Sequence, residues 1–226
     1  MTTTRTLLLC GAAGAPLFVI VLLAEGALRP GYDPVYHSGS QLSLGDRGWI
    51  QIASFIVTGL LMLPYAEGVR RALASRWTAV LIALFGVGLI GAGAFVMDPM
   101  QGYPPGAPPG VPAVTSLHNS AHDLASLLVF LALPLACLTA AFRLKGWWRA
   151  YSLVTALATV ALFLAYGQAF AQDAPNAGLI QRVLIVTGWT WLTLLAVRLS
   201  RTAPTAPATP RSPRSPSAPT SPTTPR

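Results

Sequence analysis

Charged residues are scarce in this chain, and the few present avoid its long apolar stretches. Only 10% of its 226 residues are charged and 53% are hydrophobic, and the mean hydropathy of +0.56 lies outside the range of ordinary soluble domains. No acid, lysine or arginine falls near the middle of an apolar stretch. That absence disfavours proton relays and ion-coupled transporters, which need a charge at that depth.

Lysine and cysteine are rare as well. The single lysine, Lys145, lies between two apolar stretches, which excludes a retinal Schiff base of the rhodopsin kind. The two cysteines, Cys10 and Cys137, both lie inside apolar stretches. The sequence therefore contains no disulfide framework outside the membrane.

Six apolar stretches are each long enough to cross a bilayer, because about 20 helical residues span its hydrocarbon core. The predicted spans are Leu7–Leu28, Trp49–Val69, Trp77–Met97, His122–Phe142, Ala150–Phe170 and Leu179–Leu199. We predict an all-α fold, a six-helix transmembrane bundle formed by residues 1–200. For the first stretch, a cleaved signal peptide is the alternative, since Arg5 precedes an apolar core that ends in small residues.

The charges are sorted between alternate connections. Of fifteen Lys and Arg residues, only Arg29, Arg47 and Arg182 fall on the side that carries all three histidines and nearly every acid. Basic flanks favour the cytoplasm, so both the N-terminus and the C-terminus are predicted to be cytoplasmic. Helix flanks in contact with anionic lipid explain the net charge of +8 better than nucleic-acid binding does.

These features predict a multi-pass protein of the plasma membrane. The predicted partner is the lipid bilayer. The sequence also allows a membrane-protein partner or a homo-oligomer. Residues 201–226 contain no apolar residue larger than alanine. Such a segment cannot bury a core, so we predict a disordered cytoplasmic tail.

Neutral polar side chains form stripes on two of the predicted helices. The stripes are Gln51, Ser54 and Thr58 on the second helix, and Ser152, Thr155, Thr159 and Tyr166 on the fifth. Hydrogen bonding between helices is the common use of such residues. A continuous cavity along the stripes is the alternative, and it would make the protein a small-solute facilitator.

One group of residues resembles a chemical site, at the predicted exoplasmic mouth. His118 and His122 are one helical turn apart, a spacing that lets two imidazoles share a metal ion, and Asp98 comes from the neighbouring helix end. With an open fourth position these three ligands predict a zinc site of the catalytic kind. The alternatives are capping of the fourth helix or a polar binding site without metal. The candidate residues are Asp98, His118, His122, Asp123, His37, Ser40 and Glu25.

Several motifs, in order, resemble one known family. They are His37-Ser-Gly-Ser-Gln-Leu-Ser-Leu-Gly45, Gly48-Trp-Ile-Gln51, Asp98-Pro99, Gly102-Tyr-Pro-Pro-Gly106, His118-x-x-x-His122-Asp-Leu-Ala-Ser126, Gly178-Leu-Ile-Gln-Arg182 and Gly188-Trp189. The chain is similar to the domain of unknown function 998, a family of bacterial and archaeal membrane proteins. The resemblance covers everything except the tail and implies a multi-helix bacterial protein, which the features above locate in the bacterial plasma (inner) membrane. It implies no reaction, because the family has no established one.

A looser analogy is to the membrane hydrolases related to alkaline ceramidase, which surround zinc with Ser, Asp and His-x-x-x-His. Those proteins have seven helices and a different motif order. The main prediction is a non-catalytic membrane protein with a polar binding or assembly site on its exoplasmic face. The rival hypothesis is a metal-dependent membrane hydrolase acting on a lipid or envelope substrate.

Overall fold

The computed structural model describes residues 3–203 and consists of six long helices with one short 3-10 turn. The helices are α1 (Thr4–Leu28), α2 (Gly48–Leu73), α3 (Arg76–Ala94), α4 (Leu117–Ala141), α5 (Trp147–Ala171) and α6 (Ala177–Thr202). All six are long and apolar enough to cross a membrane, and no strand occurs within residues 3–203. The predicted all-α six-helix bundle is therefore confirmed.

Several helix boundaries differ from the predicted ones. α3 ends at Ala94 rather than Met97, and α4 begins at Leu117 rather than His122. The earlier start of α4 follows from its cap, because the Ser116 hydroxyl accepts a hydrogen bond from the Asn119 amide at 3.1 Å. α6 continues to Thr202, and the predicted tail lies outside the described residues from position 204 onward.

The helices form a closed ring in chain order. Each helix packs against the next one, and α6 returns to pack against α1. Short connections make consecutive helices antiparallel neighbours, as at residues 74–75 between α2 and α3. Glycine permits the closest approach there: a Cβ on Gly59 would lie 2.6 Å from the Gly86 carbonyl oxygen. Such small residues let helix backbones approach each other within a membrane.

Aromatic side chains fill the centre of the ring. The Phe18 ring lies 5.2 Å from Phe55 and 5.4 Å from Trp189. Phe85 packs against Trp189 from another side, with ring centroids 4.9 Å apart. Because all four side chains are buried, they connect α1, α2, α3 and α6 through one shared cluster.

The two ends of the bundle differ. The end that carries the connections 29–47, 95–116 and 172–176 is called the loop end here, and the other the basic end. Within the described residues the basic end has nine Lys and Arg side chains and one acid, Glu67, whereas the loop end has the other six acids and three arginines. The charge sorting in the sequence thus corresponds to the two ends of one bundle.

α5 is the least buried helix of this ring. In the apolar 18-residue segment of α5 only 22% of the residues are buried inside the bundle, compared with 39% to 56% in the corresponding segments of the other five helices. Leu157 and Leu164 are among its exposed apolar side chains. Most of this helix therefore faces lipid.

Candidate functional site

A buried ion pair holds the first connection against α1. Glu25 binds Arg29 through one carboxylate oxygen at 2.8 Å and Arg47 through the other. Arg29 also donates to the Leu44 carbonyl at 3.0 Å and to the Tyr103 hydroxyl at 3.2 Å. Since both oxygens of Glu25 are already paired, this predicted binding residue anchors the loop rather than presenting a free carboxylate.

Arg182 is a second buried cation at the loop end, and its partners are neutral. Its guanidinium donates to the carbonyls of His37 at 3.0 Å and Gly178 at 2.9 Å, and to the Tyr32 hydroxyl. Burial raises the pKa of Tyr32 to about 12 even though Arg182 opposes the shift. Tyr32 therefore stays neutral, and carbonyl dipoles replace the water that would solvate this arginine.

The first connection also satisfies the start of α6. The amides of Gly178 and Leu179 donate to the carbonyls of Tyr36 at 3.1 Å and Val35 at 2.8 Å. Such amides have no partner within their own helix. The approach requires glycine, because a Cβ on Gly178 would lie 2.3 Å from the His37 carbonyl oxygen.

His37 joins two connections and has no nitrogen to spare. Its Nδ1 accepts from the Asp33 amide at 2.8 Å, and its Nε2 lies 3.0 Å from the Gln101 carbonyl oxygen. These partners require a neutral ring with its proton on Nε2. Because both nitrogens are occupied, this predicted site residue has a positioning role.

Asp173 brings all three connections of the loop end together. Its Oδ1 accepts from the Tyr36 hydroxyl at 2.6 Å and from Gln101 Nε2 at 2.8 Å. Desolvation, with the adjacent Asp173 carboxylate, raises the pKa of Tyr36 to about 12, so the phenol keeps its proton. The loops therefore form one hydrogen-bonded lid over the bundle.

Asp98 supports the capping residue of α4. Its two oxygens accept from the Ser116 amide and the Ser116 hydroxyl, each at 2.6 Å. These hydrogen bonds lower the pKa of Asp98. Its own amide donates to Asn119 Oδ1 at 2.9 Å. This arrangement agrees with the capping alternative considered from the sequence.

The two histidines of α4 have different environments. His118 is exposed, and its ring lies 5.5 Å from that of Phe95. His122 is only 2% exposed, and its Nδ1 lies 3.0 Å from the Ala92 carbonyl oxygen and 2.7 Å from that of Phe95. Throughout residues 3–203, no three His, Cys, Asp or Glu side chains are grouped closely enough to hold a metal ion. A zinc site formed with Asp98 stays a prediction that this geometry does not support.

A cavity of about 290 Å³ opens beside His122, and we call it the loop-end cavity. One part of its lining is polar, formed by Ser38, Ser40, His122, Asp123, Ser126, Tyr166 and Gln181. The other part is apolar, formed by Met97, Leu127, Phe130, Phe163 and Phe170. A narrow crevice that shares Ser40, Ser126 and Gln181 reaches inward to Trp189.

The hydrogen bonding of His122 determines what it offers to this cavity. Nδ1 carries the proton, because its neighbours there are both carbonyl oxygens that can only accept. Nε2 is therefore left as an acceptor, and it has no hydrogen-bond partner among the described residues. Asp123 adds a carboxylate, of which Oδ2 accepts from Asn119 at 2.8 Å. With no lysine or arginine in its lining, the cavity favours a ligand that donates hydrogen bonds.

The comparison with protein families gives a match over most of the chain. A family described as "Protein of unknown function (DUF998)" matches residues 12–198. The chain belongs to the DUF998 family. The matched range extends from α1 to α6 and contains every residue of the loop-end cavity. No curated protein and no solved structure matches the chain. Membership in DUF998 confirms the resemblance and supplies no reaction.

Of the seven site residues predicted from the sequence, three line the cavity: Ser40, His122 and Asp123. His37, Asp98 and Glu25 support loops or caps instead, and His118 lies exposed at the start of α4. Ser126 of α4 and Gln181 of α6 also line the cavity; both belong to the motifs that resemble the family, although neither was among the predicted site residues.

The sequence did carry a signal for the arginines that are paired at the loop end. Arg29, Arg47 and Arg182 are the three exceptions to the charge sorting. Each binds groups of the hydrogen-bonded connections 29–47, 95–116 and 172–176 or of the helix ends beside them, which we call the loop-end network. Because basic residues are depleted at the loop end, an arginine found there is expected to have a specific binding partner. In this DUF998 chain that partner is a carboxylate for two of them and a set of carbonyls for the third.

The polar stripes serve mainly in packing. Thr155 and Thr159 donate to carbonyls of their own helix at 2.9 Å and 2.8 Å. The Ser152 hydroxyl also accepts from Trp191 Nε1 at 3.0 Å, which joins α5 to α6. Only Tyr166, at the loop end of its stripe, lines the cavity. Hydrogen bonds between helices are thus made by Ser152 and, on the other stripe, by Thr58, which donates to the Gly14 carbonyl of α1 at 3.4 Å. Gln51 and Ser54 are buried without a side-chain hydrogen bond among the described residues.

Proposed function

We propose that this DUF998 protein binds an amphipathic small molecule or lipid in the loop-end cavity, without catalysis. The observation that carries the proposal is the division of a roughly 290 Å³ cavity into a polar and an apolar part. Ligand pockets in proteins commonly combine apolar walls with a few placed polar groups. Seven of the twelve lining side chains are polar, and they are collected on one side of the cavity, as a headgroup would require.

The polar part selects the headgroup. His122 Nε2 and the Asp123 carboxylate are both acceptors, and Ser40 and Ser126 add hydroxyl groups that can donate or accept. A phosphate headgroup would meet the Asp123 charge with no cation to balance it. A headgroup with hydroxyl or ammonium donors fits this chemistry better.

The apolar part points to the bilayer as the source of the ligand. It comes mostly from α4 and α5, including Leu127, Phe130 and Phe163. α5 is the least buried of the six helices, so its surroundings are lipid. A hydrocarbon tail that enters beside α5 would keep the polar headgroup under the loops, where Gln181 and Ser38 lie.

The proposal includes an orientation and a location. Nine Lys and Arg side chains at the basic end against three at the loop end support a cytoplasmic basic end. The loop-end cavity would then open at the exoplasmic side of the bacterial plasma membrane. There it could receive a membrane or envelope amphiphile, or present it to a membrane-protein partner or a second copy of the chain.

Cavity filling tests the proposal. In Ser126→Phe the new ring would occupy the cavity, whereas Leu131→Phe places the same ring on an exposed position of the same helix. Native mass spectrometry of protein purified in mild detergent should detect a retained amphiphile in the wild type and in Leu131→Phe. The adduct should be lost from Ser126→Phe. A folded Ser126→Phe that retains as many amphiphile adducts as the wild type, or a wild type that carries none, would count against the proposal.

A further inference from the structure

A second cavity lies at the basic end, at the opposite end of the bundle from the loop-end cavity. It has a volume of about 220 Å³ and lies between the α2–α3 turn and the end of α4. Its lining includes Arg76 and Arg143, together with Trp77 and Phe142. Both aromatic side chains are largely exposed, at 68% and 72%. We call this the basic cavity.

The two arginines of the basic cavity have no acid to balance them. The chain contains seven acids, and Glu67 is the only one at this end. Glu67 is already engaged, because Arg70 and Arg71 each approach its carboxylate to 2.6 Å. Arg143 makes one long contact, from Nε to the Leu73 carbonyl oxygen at 3.4 Å. Arg76 forms no ion pair within the described residues.

We propose that the basic cavity binds the phosphate group of an anionic phospholipid. Guanidinium groups match the geometry of phosphate oxygens and bind them through paired hydrogen bonds. Arg76 begins α3, Arg143 lies in the turn after α4, and both line one cavity, so one phosphate can contact both. This inference rests on charge and geometry at the basic end and is independent of the proposed ligand of the loop-end cavity.

The surroundings of the basic cavity suit a lipid headgroup. Trp77 follows Arg76 at the start of α3, and tryptophan is enriched at membrane–water interfaces. Phe142, which follows the last residue of α4, lines the same cavity. A lipid whose phosphate lies between the two arginines would place its glycerol and upper acyl carbons against these rings. Basic pockets between transmembrane helices bind anionic headgroups in this manner.

The test measures thermal stability of the full chain in a neutral detergent. Three probes are titrated: phosphatidylglycerol, which is anionic, phosphatidylcholine, which has no net charge, and inorganic phosphate. We expect phosphatidylglycerol to raise the melting temperature with a saturable midpoint and phosphatidylcholine to have little effect. Arg76→Gln and Arg143→Gln should each raise the phosphatidylglycerol midpoint by about fivefold or more.

Arg149→Gln is the matched control, because Arg149 is exposed at the same end and does not line the cavity. Its midpoint should stay within about twofold of the wild type. An equal weakening in Arg149→Gln, or no effect of phosphatidylglycerol on the wild type, would show diffuse attraction and overturn the site. Stabilisation by inorganic phosphate that is lost in both cavity variants would support the phosphate site and assign free phosphate as a sufficient ligand. If Arg76→Gln does not fold, Arg143→Gln and Arg76→Lys carry the test, and Arg76→Lys should bind more weakly than the wild type.

Discussion

At the scale of single residues, buried hydrogen-bond partners decide which polar side chains remain available. Arg182 and His122 are both nearly inaccessible, yet their roles differ. All the partners of Arg182 belong to the loop-end network, so it serves that network. His122 uses only Nδ1 for structure and keeps a lone pair on Nε2. The same degree of burial thus gives a positioning residue in one case and a ligand-facing residue in the other.

Arg182 is expected to contribute strongly to stability. Arg182→Met would leave the His37 carbonyl and the Tyr32 hydroxyl short of a buried donor. An unsatisfied buried group costs about 1–3 kcal/mol, so unfolding in detergent should show a loss of that order or more. Arg201→Met, at an exposed position near the end of the same helix, should stay within about 0.5 kcal/mol of the wild type. Similar stabilities for the two variants would contradict this role for Arg182.

The two histidines of α4 separate a metal site from a structural one. His122→Ala removes the donor to the Ala92 and Phe95 carbonyls and should cost about 1–3 kcal/mol of stability. The exposed His118→Ala should change stability by less than about 0.5 kcal/mol. The zinc hypothesis predicts instead that both variants lose stoichiometric metal and stability together.

Two measurements distinguish a structural His122 from a zinc site: metal analysis of the purified protein, and melting curves recorded before and after chelator is added. The geometry favours unequal effects of the two substitutions and a melting temperature that chelator does not change. Equal losses in both variants, accompanied by loss of bound zinc, would restore the hydrolase hypothesis.

At the scale of elements, the loop end depends on caps that come from outside each helix. α4 begins where Ser116 caps it, and Asp98 from the preceding connection holds that serine. α6 begins against carbonyls of the first connection. Because the helix starts and the loops hold each other, this end should respond to a substitution as one unit.

The Asp98–Ser116 contact predicts a pH dependence. The pKa of Asp98 is lower in the folded protein than its ordinary value of 3.8. Its stabilising effect is therefore fully present above that value and is lost as the pH falls through the lower folded pKa. Asp98→Asn should lower the melting temperature at pH 6, and the gap to the wild type should narrow as the pH falls below about 4.

Asp46→Asn is the control for the pH experiment. Asp46 is an exposed carboxylate of the same end with no ion pair or side-chain hydrogen bond recorded in the described residues. Its replacement should leave the melting temperature nearly unchanged across the same pH range. A gap between Asp98→Asn and the wild type that stays constant down to pH 3 would exclude a charge-dependent cap.

At the scale of the whole molecule, one ring of helices separates two chemically different ends. The loop end buries Arg29 and Arg182 within a network of loops and pairs the exposed Arg47 with Glu25, whereas the basic end leaves most of its cations exposed. The aromatic cluster around Trp189 lies between the two ends and joins the helices there. The loop-end cavity therefore suits a ligand with hydrogen-bond donors, and the basic cavity suits a negatively charged ligand.

Orientation in the membrane is predicted from the charges and is tested by cysteine labelling. In a variant that lacks Cys10 and Cys137, cysteine is introduced at Ala113 in the long exposed connection or at Lys145 at the basic end. An impermeant thiol reagent added to intact cells should label position 113 and should label position 145 only after the membrane is opened. Labelling of position 145 alone in intact cells would reverse the proposed topology.

The sequence by itself determined the number of helices, their approximate limits and the two-ended charge pattern. These are properties of continuous segments: a bilayer requires about 20 apolar residues whose backbone groups bond internally, and basic flanks favour one side. Residues of the resembling motifs also lie in the loop-end network and its cavity.

Only the tertiary structure decided which polar residues are free to act. His118 and His122 have the spacing of a shared metal site, but the end of α3 places two carbonyls against His122 Nδ1, while His118 remains exposed. Glu25 and Asp98 look available in the sequence, yet partners distant in the chain occupy their oxygens. Hydrogen-bond competition of this kind depends on contacts between segments, and no local pattern encodes it.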